Sequence, residues 1–314
     1  MRKLLTRLGR LILVVVVVTF LTQLMTEFVP GSLDQILAPF SSPEQTAQIR
    51  KDLQLDDNIV VRYGRWLGNF VQGDMGKRYT GAQSSVPVGP EVARALPVSL
   101  ELMLWSQLVA LGLAIPLGVY AAHREGKWLD KVISGGAFAF LAVPAYVVAL
   151  ILSYYLAARF QLLRGVGLRP WSDGIGAHMQ DLILPVVSLS LGQAAVYLRL
   201  LRSDLISTLQ QDFIAVAKAK GLKPRRILWR HALRPSSLTL LTVAGLQTGA
   251  LIGGALVVEI IFAIPGMGSL IQYAITKRQY VELQSEVAIV AIVFVVVNFA
   301  TDYLYSVLDP RIRE

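Results

Sequence analysis

The sequence predicts an all-α integral membrane protein with six transmembrane helices and both termini in the cytoplasm. Three observations predict it. The 314 residues are 54% hydrophobic and only 16% charged, outside the range of an ordinary soluble domain. Six stretches reach the length of a membrane crossing once their interfacial flanks are included. Lysine and arginine gather in alternate loops.

The first element opens with Arg2, Lys3, Arg7 and Arg10, then "LILVVVVVTFLTQLMT". That order also suits a secretory signal peptide, but "EFVPGSLDQ" after it offers no small-x-small cleavage site, so an uncleaved first span is expected. The charge-free cores run over residues 11–26, 102–122, 132–158, 182–198, 238–258 and 287–301, the last extending through Asp302 to Tyr305. Pro116, Pro144 and Pro185 fall inside them, which membrane helices tolerate.

Orientation follows from the loops. With the long segment 27–101 set aside, Lys plus Arg number 18 on the side of both termini and 5 on the other. Residues 27–101 therefore face outside, and their length calls for structure of their own. In "SSPEQTAQIRKDL", Ser42 is placed to cap a helix with Pro43 at its first position, so a small helical insert is expected.

Several function classes are excluded. There is no cysteine, hence no disulfide framework, thiolate metal site or cysteine nucleophile. The formal net charge of +9 is read as topology rather than as nucleic-acid binding. His123, His178 and His231 lie far apart, without metal-ligand spacing, and are expected as single surface histidines. "VQGDMGKR" falls short of a phosphate-binding loop: Gly76 and Lys77 fit, but Val71 replaces the first glycine and Arg78 the serine or threonine. The cores hold no Asp, Glu, Lys, Arg or His, which argues against a stand-alone ion-coupled carrier. Glu259, at the outer end of the fifth core, is expected as a solvated interfacial carboxylate and is kept as a candidate pathway residue. No catalytic constellation, cofactor site or metal site is expected on this chain.

The segment "DFIAVAKAKGLKPRRILWRHALRPS" (residues 212–236) carries seven Lys or Arg between the fourth and fifth cores. Phe213, Ile214 and Ala217 are spaced to share a helix face, Gly221 suits a left-handed cap, and Pro224 can open a second helix. Physics alone leaves two readings open, a helix on an anionic lipid surface or a docking helix for a protein. In the fifth core Gly245, Gly249 and Gly253 recur every fourth residue, a stripe suited to close helix packing. Gln193, Tyr197 and Gln247 are uncharged polar groups in the fourth and fifth cores; a transport path and interhelical hydrogen bonding explain them equally. "IPGMGSLIQYAITKR" is too rich in Gly and Pro for lipid exposure and reads as an outer re-entrant or gate segment.

"DFIAVAKAKGL" followed by "RHALRPS" resembles the signature of binding-protein-dependent ABC importer permeases, specifically the dipeptide, oligopeptide and nickel branch. "QLDDNIVVRYGRWLGNFVQGDMG", "PVSLELML", "AVPAYVVAL", "LILPVVSLSLGQAAVYLRLLRSDLI", "VVEIIFAIPGMGSLI" and the terminal "LDPRIRE" resemble that branch in the same order, over nearly the whole chain. The resemblance implies a type I ABC importer permease architecture, in a bacterial or archaeal cytoplasmic membrane. An N-terminal helix plus outer insert (residues 1–94) would precede a permease domain (95–308) with a coupling helix at 212–226. It further implies a second homologous permease, two cytoplasmic ATPase subunits that hold the ATP and magnesium, and an extracytoplasmic substrate-binding protein. By resemblance Asp212, Ala215, Ala217, Ala219, Lys220 and Gly221 take the ATPase-docking positions. The wider superfamily's Glu-Ala-Ala pattern would place Glu at 215, where this chain has alanine, so one acidic contact is missing. The expected substrate is a short peptide, with a nickel chelate or glutathione as further options. A membrane scaffold or sensor is the alternative without transport.

Overall fold

The structure, a computed structural model, describes residues 2–28, 42–52, 56–80 and 84–308. Most of "EFVPGSLDQ", residues 53–55 of the insert and "LDPRIRE" beyond Leu308 lie outside the described residues. The described chain is almost entirely helical and forms two compact units, each discontinuous in sequence. One holds the described residues up to Ser99 with Pro265–Val295; the other holds Leu100–Ile264 with the described residues from Val296 on.

In the first unit α1 (Arg2–Glu27) contains the apolar stretch Ile12–Glu27, shorter than a usual span. The insert contains α2 (Pro43–Asp52), starting at the proline as expected, and α3 (Ile59–Val71). Asn58 caps α3, its Oδ1 accepting the Val60 N–H at 2.9 Å. The insert is not wholly helical: β1 (Lys77–Tyr79) and β2 (Ser85–Pro87) pair antiparallel, with Arg78 opposite Val86. Gly76 enters β1 at φ +84°, where an added Cβ would lie 2.5 Å from Val281. Only glycine meets both the dihedral and the close approach.

The apolar helices that follow are α4 (Val88–His123), α5 (Trp128–Ala142), the short α6 (Ala145–Leu152), α7 (Ile175–Leu209), α10 (Leu233–Ile261) and α12 (Tyr280–Leu308). Among the described residues α4, α7 and the Tyr280–Thr301 part of α12 are each long and apolar enough to cross a membrane, and two bent pairs raise the number to five. The third predicted core is one such pair. Its halves, Trp128–Ala142 and Ala145–Arg159, meet at 99°. Val143 is extended (φ −107°, ψ 121°) because the residue before proline is pushed out of the helical region, and Pro144 then starts a new helix. The fifth core bends by 51° between Gly249 and Leu251, a place where glycine weakens a helix. Pro185 sits inside α7 without ending it.

The core of the second unit is built from small and branched residues on α4, α7, α10 and the turn that leads into α10. Ala110, Ala114, Ala195, Leu201, Leu205 and Ala232 are buried in it almost completely. Gly118 allows α4 and α7 to close up, since an added Cβ would lie 3.3 Å from the Leu198 carbonyl oxygen. Between α7 and α10 come α8 (Asp212–Ala219) and α9 (Pro224–Arg226), followed by a widened π-helical turn at Ile227–Ala232. The "IPGMGSLIQYAITKR" segment folds into α11 (Met267–Thr276), whose Met267 N–H donates to Ser99 Oγ at 2.8 Å.

Candidate functional site

The basic segment folds as its residue order requires. Helix α8 ends in a two-bond cap: the Gly221 N–H donates to the Lys218 carbonyl (2.9 Å) and the Leu222 N–H to the Ala217 carbonyl (3.3 Å). The cap needs a left-handed residue, and Gly221 supplies it at φ +74°. Pro224 then takes the first position of α9, where its missing N–H costs nothing.

One face of α8 belongs to the unit's own core. Ile214 is fully buried and Ala217 nearly so, in the same cluster as Leu201, Leu205, Ile227 and Leu228. The other face is open: Asp212, Ala215, Ala219, Lys220 and Gly221 are exposed together, joined by Phe213 and Val216. Two assignments change as a result. Phe213, expected on the apolar face with Ile214 and Ala217, is exposed, because Ile214 and Ala217 take the inward face and Phe213 lies about 100° from Ile214 around the helix. Ala217 lies beneath the open surface rather than on it.

Polar contacts stiffen the surroundings. Arg202 on α7 grips Asp130 on α5 with two bonds, Nε to Oδ1 at 2.5 Å and Nη2 to Oδ2 at 2.7 Å. Asp130 also accepts the Gly126 N–H at 2.9 Å, which fastens the turn between α4 and α5. Arg199 lies over the Phe138 ring at 4.3 Å. Thr208 and Ser236, both buried, share a hydrogen bond of 2.9 Å between the end of α7 and α10.

Near the start of α7 a second cluster forms. Arg169 donates to both oxygens of Asp181, from Nε at 2.8 Å and Nη2 at 2.7 Å. That hydrogen bond, together with the Asp181 charge, holds the Arg169 pKa above its ordinary value. His178 is not the surface histidine expected. It is buried, its ring stacks on Trp171 at 4.0 Å, its Nδ1–H donates to the Arg169 carbonyl (2.5 Å), and Nε2 faces Glu101 (3.0 Å).

Two of the four candidate pathway residues are tied to each other. Gln247 Nε2 donates to Gln193 Oε1 at 3.3 Å, and both side chains are partly exposed. Tyr197 is fully buried and donates to Gln107 Oε1 at 3.0 Å. Glu259 is also fully buried, so the solvated carboxylate expected at that position is not found. It lies on the last turn of α10, where Val258 and Phe262 are buried as well. In the glycine stripe, a side chain at 245 would collide with Thr301, Gly249 is buried at the bend of α10, and Gly253 is exposed with nothing within 4 Å of an added Cβ.

The first unit contains a buried charge cluster that hydropathy reasoning passed over. Arg78 on β1 donates from Nε to Glu282 at 2.7 Å, reaches Glu91 with Nη1, and lies 4.5 Å from the Tyr273 ring centre. Burial pushes the Arg78 pKa down, but the Glu282 hydrogen bond and the charges of Glu282, Glu91 and Glu286 carry it above the ordinary value. Glu282 and Glu286 are both fully buried on α12. They precede the last charge-free core at i and i+4 spacing, a signal visible in the sequence that defining the span by charge-free residues alone discarded.

The chain matches the family model described as binding-protein-dependent transport system inner membrane component over residues 114–314. It is 33% identical over 310 residues to a putative peptide transport system permease protein of Brucella abortus, covering 98% of each chain. It is 31% identical over 316 residues to the nickel import system permease protein NikB of Staphylococcus aureus, covering 99% of this chain and 92% of that protein. Among solved structures, the MetNI methionine ABC transporter in an inward facing conformation is similar in fold, with a TM-score of 0.58 at 18% identity, over 69% of this chain and 96% of that chain. With this fold and these matches, the chain belongs to the binding-protein-dependent ABC importer permeases, in their dipeptide, oligopeptide and nickel branch, and is a multi-pass inner-membrane permease subunit.

Proposed function

We propose that this permease imports short peptides and that residues 212–226 are the coupling element through which a cytoplasmic ATPase moves it. The observation that carries the reading is the geometry of α8, whose outer face is open while Ile214 and Ala217 are locked into the α4, α7 and α10 core. Force applied to Asp212, Ala215, Ala219, Lys220 or Gly221 passes directly into packed helices. Such cores shift between discrete arrangements rather than deform continuously. The π-helical turn at Ile227–Ala232 gives α10 a local irregularity next to the point of force.

The assembly would contain a second homologous permease, two ATPase subunits that hold ATP and magnesium, and an extracytoplasmic binding protein. Both termini would be cytoplasmic, in a bacterial or archaeal inner membrane, with residues 1–94 as an N-terminal transmembrane helix plus outer insert and 95–308 as the permease domain. Gln193 and Gln247 each offer an amide donor and acceptor suited to a peptide backbone. Tyr197 and Glu259, being buried, would act on the path by holding its walls. Gly245 and Gly249 serve packing within this chain, which leaves Gly253 for a neighbouring helix. The name of the Brucella relative supports peptide as substrate. The Staphylococcus relative supports a nickel chelate as a second reading at nearly the same identity.

Affinity purification of the tagged chain tests the coupling element. Two ATPases and a second permease should accompany the wild type, and the ATPases should be lost from Gly221→Asp plus Lys220→Glu. Wild type isolated without ATPase in mild detergent would reject the reading.

A further inference from the structure

Gln107, on α4 within the second apolar core, uses both ends of its amide. Its Oε1 accepts the Tyr197 hydroxyl of α7 at 3.0 Å, and its Nε2 donates to the Ala244 carbonyl of α10 at 3.3 Å. A carbonyl only accepts, so Nε2 must be the end that faces Ala244, and Tyr197 must be the donor at the other end. One side chain thus joins three helices of the second unit, in a layer where Tyr197 and Ala244 are both buried.

The bridge stands one helical turn from the bond between Gln193 and Gln247. Gln193 and Tyr197 are neighbours along one face of α7, as Ala244 and Gln247 are along α10, so both links join the same two helix faces. The Ala244 end falls at a weak place in α10. In a helix its carbonyl serves the amide four residues on, and here it also takes the Thr248 hydroxyl at 2.8 Å and the Gln107 amide. More donors converge than the oxygen has lone pairs, which loosens the helical ladder, and a hydroxyl bonded back one turn favours a bend. The 51° bend of α10 between Gly249 and Leu251 follows directly.

We infer that Gln107 is a positioning residue for transport, which through Ala244 sets the bend of α10 and so the approach of Gln247 to Gln193. The inference rests on the reading of those two glutamines as lining the peptide path. Their own bond is long at 3.3 Å, and a peptide amide carries the same donor and acceptor, so it can replace either partner. The room for that exchange is set by the spacing of α7 and α10, and Gln107 bonds to both helices. It acts through Gln247 rather than on the substrate.

The test compares two variants of the assembled transporter in uptake of trialanine. Gln107→Met removes both bonds at nearly the same side-chain length, whereas Tyr197→Phe leaves Nε2 on Ala244. Uptake should fall about fivefold in Gln107→Met, the worth of one hydrogen bond, and change little in Tyr197→Phe, with the ATPases still bound in both. In a Gln247→Leu background Gln107→Met should lower uptake no further, because its effect runs through Gln247. Wild-type uptake in Gln107→Met, or losses that multiply in the double variant, overturn the inference and leave the path reading standing. Uptake unaffected by Gln247→Leu overturns both. A second measurement needs no uptake. The chain has no cysteine, so spin labels on Ile183→Cys in α7 and Val257→Cys in α10, both exposed positions, report the bend in the purified chain. The distance between the labels should shift in Gln107→Met and hold in Tyr197→Phe; no shift in Gln107→Met, or the same shift in both, overturns the inference.

Discussion

Arg202 and Asp130 form a two-bond ion pair, at 2.5 and 2.7 Å, between α7 and the start of α5. The same carboxylate holds the Gly126 N–H. One aspartate thus fixes the turn between α4 and α5 to the helix that leads into the basic segment.

Replacing Asp130 by Asn leaves the Arg202 guanidinium, about one quarter exposed, without its carboxylate. The expected loss is about 2 kcal/mol of stability, since one half of a largely buried pair remains. Thermal unfolding of the purified chain in detergent measures it. The double variant Asp130→Asn with Arg202→Gln should be less destabilised than the sum of the single variants, and strict additivity would show that the pair does not couple.

At Gly221, φ +74° sets a different penalty for each substitution. Gly221→Asn should be nearly neutral and Gly221→Val should cost about 1 kcal/mol or more, because a β-branched residue resists the left-handed region. Hydrogen exchange reports it directly. The Gly221 and Leu222 amides, bonded to Lys218 and Ala217, should lose protection in the valine variant before the core of α7 does.

Arg78 neutralises Glu282 and Glu91 inside the first unit. Arg78→Met should destabilise by about 3 kcal/mol, because carboxylates are left buried without their cation. Arg78→Lys should recover only part of the loss, as one ammonium does not reproduce the fork that serves two carboxylates and stacks over Tyr273. Limited proteolysis of the insert together with the unfolding midpoint checks both, and full stability with lysine would show that charge alone suffices.

Gln193 and Gln247 separate the two roles left open for interior polar groups. If they line the path, Gln193→Leu and Gln247→Leu should each lower peptide uptake by the assembled transporter while the complex stays intact. Tyr197→Phe removes only the bond to Gln107 and should cost about 1 kcal/mol of stability with little change in uptake. Uptake unaffected by either leucine variant would leave these residues a packing role alone.

The features that the sequence determined by itself are those set by neighbours along the chain. The Asp212–Ala219 helix, its glycine cap, the Pro224 restart, the Pro43 start of α2 and the apolar stretches follow from local propensity and hydropathy over a few residues. Tertiary structure decided which face of each element is used. Phe213 and Ile214 are adjacent in sequence, yet only the long-range packing of Ile214 against Leu201 and Leu205 shows that Phe213 is the one left outside. Pro144 was legible as tolerable inside a helix, but its 99° bend depends on the packing that stabilises each half after the break. The ordering of Glu259, Glu282, Glu286 and His178 into the interior was least legible. Burying an ionisable group is unfavourable except where distant residues compensate, and for Glu282 that residue is Arg78, more than two hundred positions away in the chain.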